Sequence, residues 1–300
     1  MRYILSFSGG KDSTYLLLEL IRRNYPLDEV VFFDTGWEYD VMYDHVDQCR
    51  RLCEDNAILF TALHPDRDFD YLMFEHHIAG GKKGYSWCGG PCRWGTRIKI
   101  NTINRFLRQA GDCIVYVGIA ADELERLDRE RTDFKRFPLV DWGITEAECL
   151  QGCYDAGFDW GGMYEHLDRL SCKFCSNKNL KELRNIRVYY PKVWSELKEY
   201  QLRTDRPYKG EGKSVFELEK RFALEDELKS KNTWLTRKDF FVELQSRFKR
   251  DEALEEELAN DLLDWECAND DIYYDSGSGR MMYSMTLPDG DVVQVALHAT

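Results

Sequence analysis

Short apolar runs alternate with longer amphipathic stretches along the first 120 residues of the chain. The short runs are apolar on both sides, as the strands of a sheet that is covered on both faces must be. Strict alternation of strand and helix is typical of a mostly parallel sheet. We therefore predict an α/β fold with strands at 3–7, 29–33, 57–63 and 113–117 and helices at 12–24, 39–55, 69–79 and 93–110.

The remaining chain has a mainly helical pattern. Aromatic loops occupy much of residues 137–177, and the predicted helices lie at 145–156, 180–190, 192–203, 214–230, 237–249 and 252–265. Gly210 and Gly212 mark a boundary between a domain of residues 1–209 and a helical C-terminal region of residues 210–300. Two apolar runs, 281–287 and 292–298, flank a turn sequence and predict a terminal β-hairpin.

Composition makes the cytoplasm the expected location of the protein. Apolar residues form 43% of the chain, which is enough to build a core. No apolar run approaches the ~20 residues that a membrane helix needs. The first residues run too soon into glycine and charge for a signal peptide. We expect no membrane association, and the composition is compatible with a homo-oligomer.

Charge is unevenly distributed, although the net charge is −13. Residues 173–213 hold eleven Lys or Arg against five Asp or Glu, whereas residues 251–275 hold eleven acidic residues and no Lys or Arg. Within the basic segment, Lys178, Lys181, Arg184 and Arg187 recur at a spacing that places much of the set on one helix face. That face is either a docking surface for the phosphates of RNA or DNA or an ordinary solvated helix surface.

The segment between the first strand and the first helix has the composition of a phosphate loop. Gly9 and Gly10 permit a tight turn and a close approach of the backbone to a ligand. Backbone amides at such a turn favour an anion, to which Ser8 and Ser13 add hydroxyls and Lys11 a positive charge. The Walker spacing is missing. An ordinary glycine turn with a helix cap is the alternative.

Asp34 follows the second strand and lies at the same edge of the predicted sheet as the phosphate loop. A carboxylate in this place can accept a Mg²⁺ ion or a ribose hydroxyl beside a bound polyphosphate. The alternative for Asp34, Thr35 and Gly36 is a helix cap and turn.

Ten cysteines in a chain expected in the cytoplasm indicate metal binding or catalysis before structural disulfides. Cys172 and Cys175 form one closely spaced pair, and Cys88 and Cys92 form a second pair in a glycine-rich loop. Four thiolates suit an iron–sulfur cluster or, alternatively, zinc. Cys153 is an alternate fourth ligand, which would leave a spare thiol able to carry a persulfide. The interpretation as small buried hydrophobes is preferred for Cys49, Cys53, Cys113 and Cys267.

Five segments together resemble the branch of the N-type ATP pyrophosphatases that contains phosphoadenosine phosphosulfate (PAPS) reductases, in the adenine nucleotide alpha hydrolase superfamily. The loop at residues 8–13 resembles the PP-motif of these proteins, and the resemblance extends over about residues 3–205. It implies a HUP or Rossmann-like fold. The other matching segments are Phe33–Glu38, Gly118–Glu123 with Arg126, Phe137–Trp142 and the cysteine pattern.

The resemblance also implies roles for individual residues. Asp34, Thr35 and Gly36 are expected to line the adenosine or pyrophosphate, and Gly118 and Ile119 the adenine. The expected phosphate-binding residues are Ser8, Gly9, Gly10, Lys11, Asp12 and Ser13. The expected catalytic residues are Lys11, Asp12, Asp34 and Arg126. Because Ala120 stands where relatives often carry Arg, the candidates for the missing phosphate contact are Arg97, Lys99 and Arg126.

Three functions remain open from the sequence. The first is cleavage of ATP with Mg²⁺, followed by sulfur transfer from a sulfur-donor protein to an adenylylated acceptor such as nucleic acid. The second is reduction of a sulfonucleotide. That chemistry usually needs a cysteine in a Glu-Cys-Gly motif near the C-terminus, whereas Cys267 lies among carboxylates without this motif. The third is a non-catalytic nucleotide-sensing module.

Overall fold

The computed structural model of the protein describes residues 1–88, 92–130 and 132–250, together with three strands between residues 272 and 297. The chain divides into two compact units, Met1–Glu219 and Lys220–Thr300. The predicted helix at 252–265 and Cys267 lie outside the described residues.

A parallel five-stranded sheet forms the centre of the first unit, which confirms the predicted α/β fold. Its order is β3-β2-β1-β4-β5, so successive connections run to one side of β1 and then cross to β4 on the other side. The carboxyl ends of β1 and β4 therefore border the crevice where ligands bind in open α/β sheets. The strands are β1 Arg2–Phe7, β2 Glu29–Phe33, β3 Leu59–Leu63, β4 Cys113–Val117 and β5 Lys135–Arg136.

Helices connect these strands and bury their apolar faces on the sheet. In the first helix, Leu16, Leu17 and Leu20 are fully buried, and β2 is buried along its whole length. Cys49 and Cys53 are also fully buried, as expected for small hydrophobic side chains. The helices are α1 Lys11–Arg22, α2 Asp40–Asp55, α3 Phe69–Phe74, α4 Arg93–Ala110, α5 Leu124–Glu130, α6 Pro138–Asp141, α7 Glu146–Asp155, α8 Met163–His166, α9 Leu180–Tyr189, α10 Pro191–Leu202 and α11 Val215–Ser230.

Helix α3 is shorter than the helix predicted at 69–79. Its carbonyl groups at Leu72 and Met73 accept the amides of Tyr85 and Ser86, at 2.9 and 3.0 Å, instead of continuing the helical ladder. The chain then folds back closely, because a Cβ on Gly84 would lie 2.0 Å from the Met73 carbonyl oxygen. Tertiary hydrogen bonds thus end the helix where its sequence pattern continues.

Glu219 connects α11 to the two preceding helices, because its carboxylate accepts hydrogen bonds from side chains on both of them. Arg187 on α9 donates at 2.7 Å, Lys198 on α10 lies at 2.9 Å, and Trp194 donates its indole N–H. Burial acts to raise the pKa of Glu219, but the three donors outweigh it and lower the pKa to about 2.

The second unit contains part of α11, a helix at 237–250 and a three-stranded antiparallel sheet. The predicted hairpin is confirmed by the pairing of β7, Arg280–Thr286, with β8, Val292–Leu297. A further strand, β6 at Ile272–Asp275, pairs with β7 and was not expected from the sequence. Across the described residues, every helix is too short or too polar to cross a membrane.

Candidate nucleotide-binding site

The predicted phosphate loop lies at the carboxyl end of β1 and leads directly into α1. Gly9 has a φ of 76°, a conformation that side chains other than glycine rarely adopt. Trp160 donates its indole N–H to the Gly9 carbonyl at 2.8 Å, and the Tyr164 hydroxyl accepts the Lys11 amide at 2.8 Å. Both aromatic residues come from a segment that sequence reasoning did not assign to the site.

The two serines of the loop hold it in a closed turn. The Ser8 and Ser13 hydroxyl oxygens are 3.0 Å apart, and the Ser13 hydroxyl donates to the Gly10 carbonyl at 3.0 Å. The Ser8 amide also donates to the Ser13 hydroxyl, at 3.2 Å. The backbone geometry of the loop is therefore fixed by its own side chains, which is the preorganisation that an anion site requires.

Gly118, at the end of β4, packs directly against the start of α1. A Cβ at this position would lie 2.9 Å from the Ser13 amide nitrogen and 3.0 Å from the Asp12 carbonyl carbon. Only glycine permits this approach, which brings the end of β4 beside the phosphate loop. The adjacent Ile119 is fully buried, so its side chain belongs to the core.

Three carboxylates converge beside the phosphate loop. Asp12, Glu123 and Glu146 each place an oxygen within 4.8 Å of the others, and they form the one such cluster found across the described part of the chain. The Lys11 ammonium lies 3.1 Å from Asp12 and 2.9 Å from Glu146, and Arg126 lies 3.0 Å from Glu123. Glu146 belongs to α7 and was not predicted. Oxygen donors of this kind suit Mg²⁺.

The electrostatics of this cluster are set by crowding of acidic groups in a half-buried place. Burial raises the pKa of Asp12 more than the Lys11 ammonium lowers it, and Glu146 and Glu123 raise it further. Burial acts to lower the pKa of Lys11, but the Asp12 and Glu146 carboxylates outweigh it, so this pKa is raised. Lys11 therefore stays positively charged beside an acidic group that gains from a further cation.

The Asp34 side chain stabilises a turn at the carboxyl end of β2. One carboxylate oxygen accepts the Gly36 amide at 2.8 Å and the Tyr43 hydroxyl at 2.9 Å. Thr35 donates its hydroxyl to Glu38 at 2.7 Å. Both Asp34 and Thr35 thus have structural partners, and Asp34 does not belong to the three-carboxylate cluster. Its role toward a nucleotide stays a prediction.

The four predicted metal-ligating cysteines form two pairs within the first unit. Cys88 and Cys92 interact with each other, and so do Cys172 and Cys175. The segment around residues 206–208 touches both pairs, because Arg206 donates to the Cys88 carbonyl at 3.4 Å and the Tyr208 hydroxyl donates to the Cys175 carbonyl. The Trp37 ring packs edge-on against four other aromatic rings, with centroids 5.3 to 5.8 Å away: Phe69, Trp94, Phe174 and Tyr200.

Cys153 lies at the phosphate loop. Its thiol donates to the Lys11 carbonyl at 3.4 Å, and the side chain is fully buried. Burial raises the pKa of Cys153 to about 12, so the thiol stays protonated. In the Cys172 and Cys175 pair, the hydrogen bond from Cys172 lowers the pKa of Cys175. The Lys178 ammonium lowers this pKa further, whereas burial acts to raise it.

The prediction that Lys178 lies on a basic helix face is wrong. This residue precedes α9 and is fully buried, with its ammonium 2.7 Å from the Ser171 hydroxyl. Lys181 forms an ion pair with Asp168 at 2.7 Å, and Arg187 is held by Glu219. The sequence pattern shows positive charges but not the tertiary contacts that neutralise or bury them.

Lys99 lies near Cys172. Burial lowers the pKa of Lys99, whereas the Glu38 carboxylate acts to raise it.

The parallel sheet is doubly wound about β1, and the glycine-rich loop before α1 lies at its switch point, which is where α/β proteins of this architecture bind nucleotides. Comparison with known families supports this assignment. Residues 2–147 match the phosphoadenosine phosphosulfate reductase domain. The resemblance inferred from the sequence motifs is thus confirmed.

Two relatives illustrate the similarity. An uncharacterised protein of Methanocaldococcus jannaschii is 24% identical over 220 residues, which are 66% of this chain and 42% of the relative. A phosphoadenosine 5′-phosphosulfate reductase of Yersinia pseudotuberculosis is 25% identical over 146 residues, which are 47% of this chain and 57% of the reductase. The chain therefore spans about half the length of the curated relatives it matches.

Proposed function

We propose that the protein cleaves ATP between its α- and β-phosphates to activate an acceptor, which then receives sulfur. The observation that carries this proposal is the cluster of Asp12, Glu123 and Glu146 beside the phosphate loop. Three carboxylates would repel a bound polyphosphate unless a cation lay between them. ATP arrives with Mg²⁺, and its pyrophosphate leaving group needs charge neutralisation, so the acidic cluster favours ATP as the nucleotide.

The proposed reaction has two steps. An acceptor oxygen attacks the α-phosphorus, the bond from this phosphorus to the bridging oxygen breaks, and pyrophosphate leaves. A hydrosulfide equivalent from a sulfur donor then displaces AMP, so that sulfur replaces the acceptor oxygen. The loop at residues 8–13 and the start of α1 hold the departing phosphates, and Lys11 balances their charge. Mg²⁺ held by the three carboxylates would neutralise further phosphate charge.

Lys11 has two available sets of partners in this scheme. Its ammonium pairs with Asp12 and Glu146. With Mg²⁺ held by those carboxylates, Lys11 would be available to balance the charge of the phosphates, because each carboxylate would have another cationic partner. Arg126 forms an ion pair with Glu123, the third carboxylate, at 3.0 Å and so balances its negative charge.

The test is a pyrophosphate-release assay with Mg·ATP, sodium sulfide and single-stranded RNA or DNA as candidate acceptors. We expect acceptor-dependent pyrophosphate and AMP in equal amounts, with sulfur in the recovered acceptor. Lys11→Ala is expected to abolish release. ATP binding without turnover under any of these conditions would instead support a nucleotide-sensing module.

Reduction of a sulfonucleotide is the second candidate, and the similarity to the Yersinia reductase favours it. In that reaction a thiolate attacks the sulfate sulfur, the nucleotide leaves, and a second thiol releases sulfite as a disulfide forms. Incubation with PAPS and dithiothreitol distinguishes the two functions, because sulfite is produced only by the reductase. Sulfite release without ATP consumption would replace the sulfur-transfer proposal.

A further inference from the structure

A cavity opens at the start of α4. Its volume is about 390 Å³, which is within the range of small-molecule sites. Neither the loop at residues 8–13 nor any of the three clustered carboxylates contributes to its wall. The lining residues are Tyr85, Cys88, Arg93, Trp94, Arg97, Ile98 and Arg206.

Positive charge dominates this cavity. Arg93, Arg97 and Arg206 are all exposed, and across the described residues no carboxylate forms an ion pair with any of them. Arg93 and Arg97 are four residues apart on α4 and therefore lie on the same face. A guanidinium group can donate two parallel hydrogen bonds to phosphate oxygens. Three arginine side chains in one cavity therefore suit a phosphate ester.

Aromatic rings form another part of the cavity wall. Tyr85 and Trp94 are nearly parallel, with ring centroids 5.8 Å apart and planes 12° apart. The His76 ring stacks on Tyr85, with centroids 4.8 Å apart. A half-exposed aromatic surface beside cationic groups is the arrangement on which nucleobases stack in proteins that bind single strands.

Three separate segments of the chain are fastened together around the cavity. Trp94 donates its indole N–H to the Ser86 carbonyl at 3.2 Å, and the hydroxyls of Ser86 and Thr204 form a hydrogen bond. The Arg206 carbonyl accepts the Gln201 side-chain amide at 3.0 Å. These contacts hold the aromatic and cationic parts of the wall in place before a ligand binds, which reduces the entropic cost of binding.

We propose that this cavity is a second nucleotide-binding site, which takes a phosphate ester carrying a nucleobase. Arg93, Arg97 and Arg206 hold the phosphate, while Tyr85 and Trp94 contact the face of the base. The ligand is either a free mononucleotide or one nucleotide of a single strand. Helix α4 follows β3 and precedes the parallel β4, so its first turn lies at the same edge of the sheet as the phosphate loop.

The test measures fluorescence anisotropy of a labelled single-stranded decanucleotide of mixed sequence at several salt concentrations. Arg97→Gln is expected to weaken binding about tenfold, and to reduce the slope of log affinity against log salt by roughly 0.7. Arg108→Gln is the matched control. It removes the same charge from α4 but lies about 16 Å further along the helix axis, so its affinity and slope should equal those of the wild type.

Two further variants test the aromatic wall and the independence of the cavity from the phosphate loop. Tyr85→Leu keeps an apolar side chain but loses the ring, so it should weaken binding about fivefold or more without changing the salt slope. Lys11→Ala should bind the decanucleotide as the wild type does, since the phosphate loop is a different site. This result is independent of ATP turnover, so failure of the proposed function would leave it standing.

Competition identifies the source of the ligand. AMP that displaces the decanucleotide from the wild type would identify a free nucleotide as a ligand of this cavity, whereas binding that AMP does not displace would identify a strand. Wild-type affinity in Arg97→Gln, or an equal loss in Arg108→Gln or Lys11→Ala, would overturn the proposal. A poly-glutamate that binds as tightly as the decanucleotide would also overturn it.

Discussion

Gly118→Ala tests whether the close contact between β4 and the phosphate loop matters. The new Cβ would lie 2.9 Å from the Ser13 backbone, about 0.6 Å inside a normal carbon–carbon contact. The obstacle is backbone, so the start of α1 must move away from β4 by about that amount. Overpacking of this kind costs about 1–3 kcal/mol. In a unit of this size, the melting temperature should fall by roughly 2–12 °C.

Nucleotide affinity provides the second measurement on this variant. A displacement of half an ångström in a preorganised site should weaken Mg·ATP binding by about tenfold, as measured by calorimetry. Gly111→Ala is the matched control at the other end of β4. It has a φ of 75° and open space around it, so alanine there costs about 1–3 kcal/mol of strain without touching the loop.

Gly111→Ala should therefore lose stability but keep the wild-type affinity for nucleotide. The role given to Gly118 would be refuted by a Gly118→Ala protein that melts within about 1 °C of the wild type and binds Mg·ATP equally well. Equal losses of affinity in both variants would also refute it, because the effect would then follow from general destabilisation.

Two further predictions concern acid stability and metal content. Glu219→Gln should cost roughly 2 kcal/mol at pH 7, since a carboxylate with a lowered pKa stabilises the fold above its unfolded pKa of about 4.5. The difference from the wild type should shrink as the pH falls from 4.5 towards 2, and a constant difference in urea denaturation would contradict this. Cys172→Ala should release the metal of the predicted thiolate centre, whereas Cys153→Ala, at the phosphate loop, should keep it. Wild-type protein purified without oxygen and free of iron and zinc would contradict the predicted centre.

The central sheet could be predicted from sequence because local pattern and tertiary environment agree there. The strand at Cys113–Val117 is apolar along its length, and both of its faces are covered in the fold. Helix α4 was predicted with its observed ends, Arg93 and Ala110, because Gly111 ends it with a conformation that only glycine adopts readily. By contrast, β5 contains two residues, which is too short for any periodic pattern.

The phosphate loop could be predicted from the sequence, since all of its candidate phosphate-binding groups lie within six consecutive residues. The acidic cluster could not be predicted in this way, because Asp12, Glu123 and Glu146 are far apart in the sequence. They meet only when α7 packs against α1. Glu146 gave one local signal, its place in the first turn of a capped helix, and that signal indicates helix formation alone. Trp160 and Tyr164 likewise reach the loop through tertiary packing.

The most direct test of the nucleotide site is a calorimetric titration with Mg·ATP. Wild-type protein is expected to bind Mg·ATP through the loop at residues 8–13, and Lys11→Ala to bind it at this site at least about tenfold more weakly. Lys192→Ala is the control, because this lysine is 80% exposed and forms only a loose pair with Asp40. It should bind like the wild type, with all three proteins showing the same far-ultraviolet circular dichroism. No binding to the wild type, or equal binding to folded Lys11→Ala, would contradict the proposed nucleotide site.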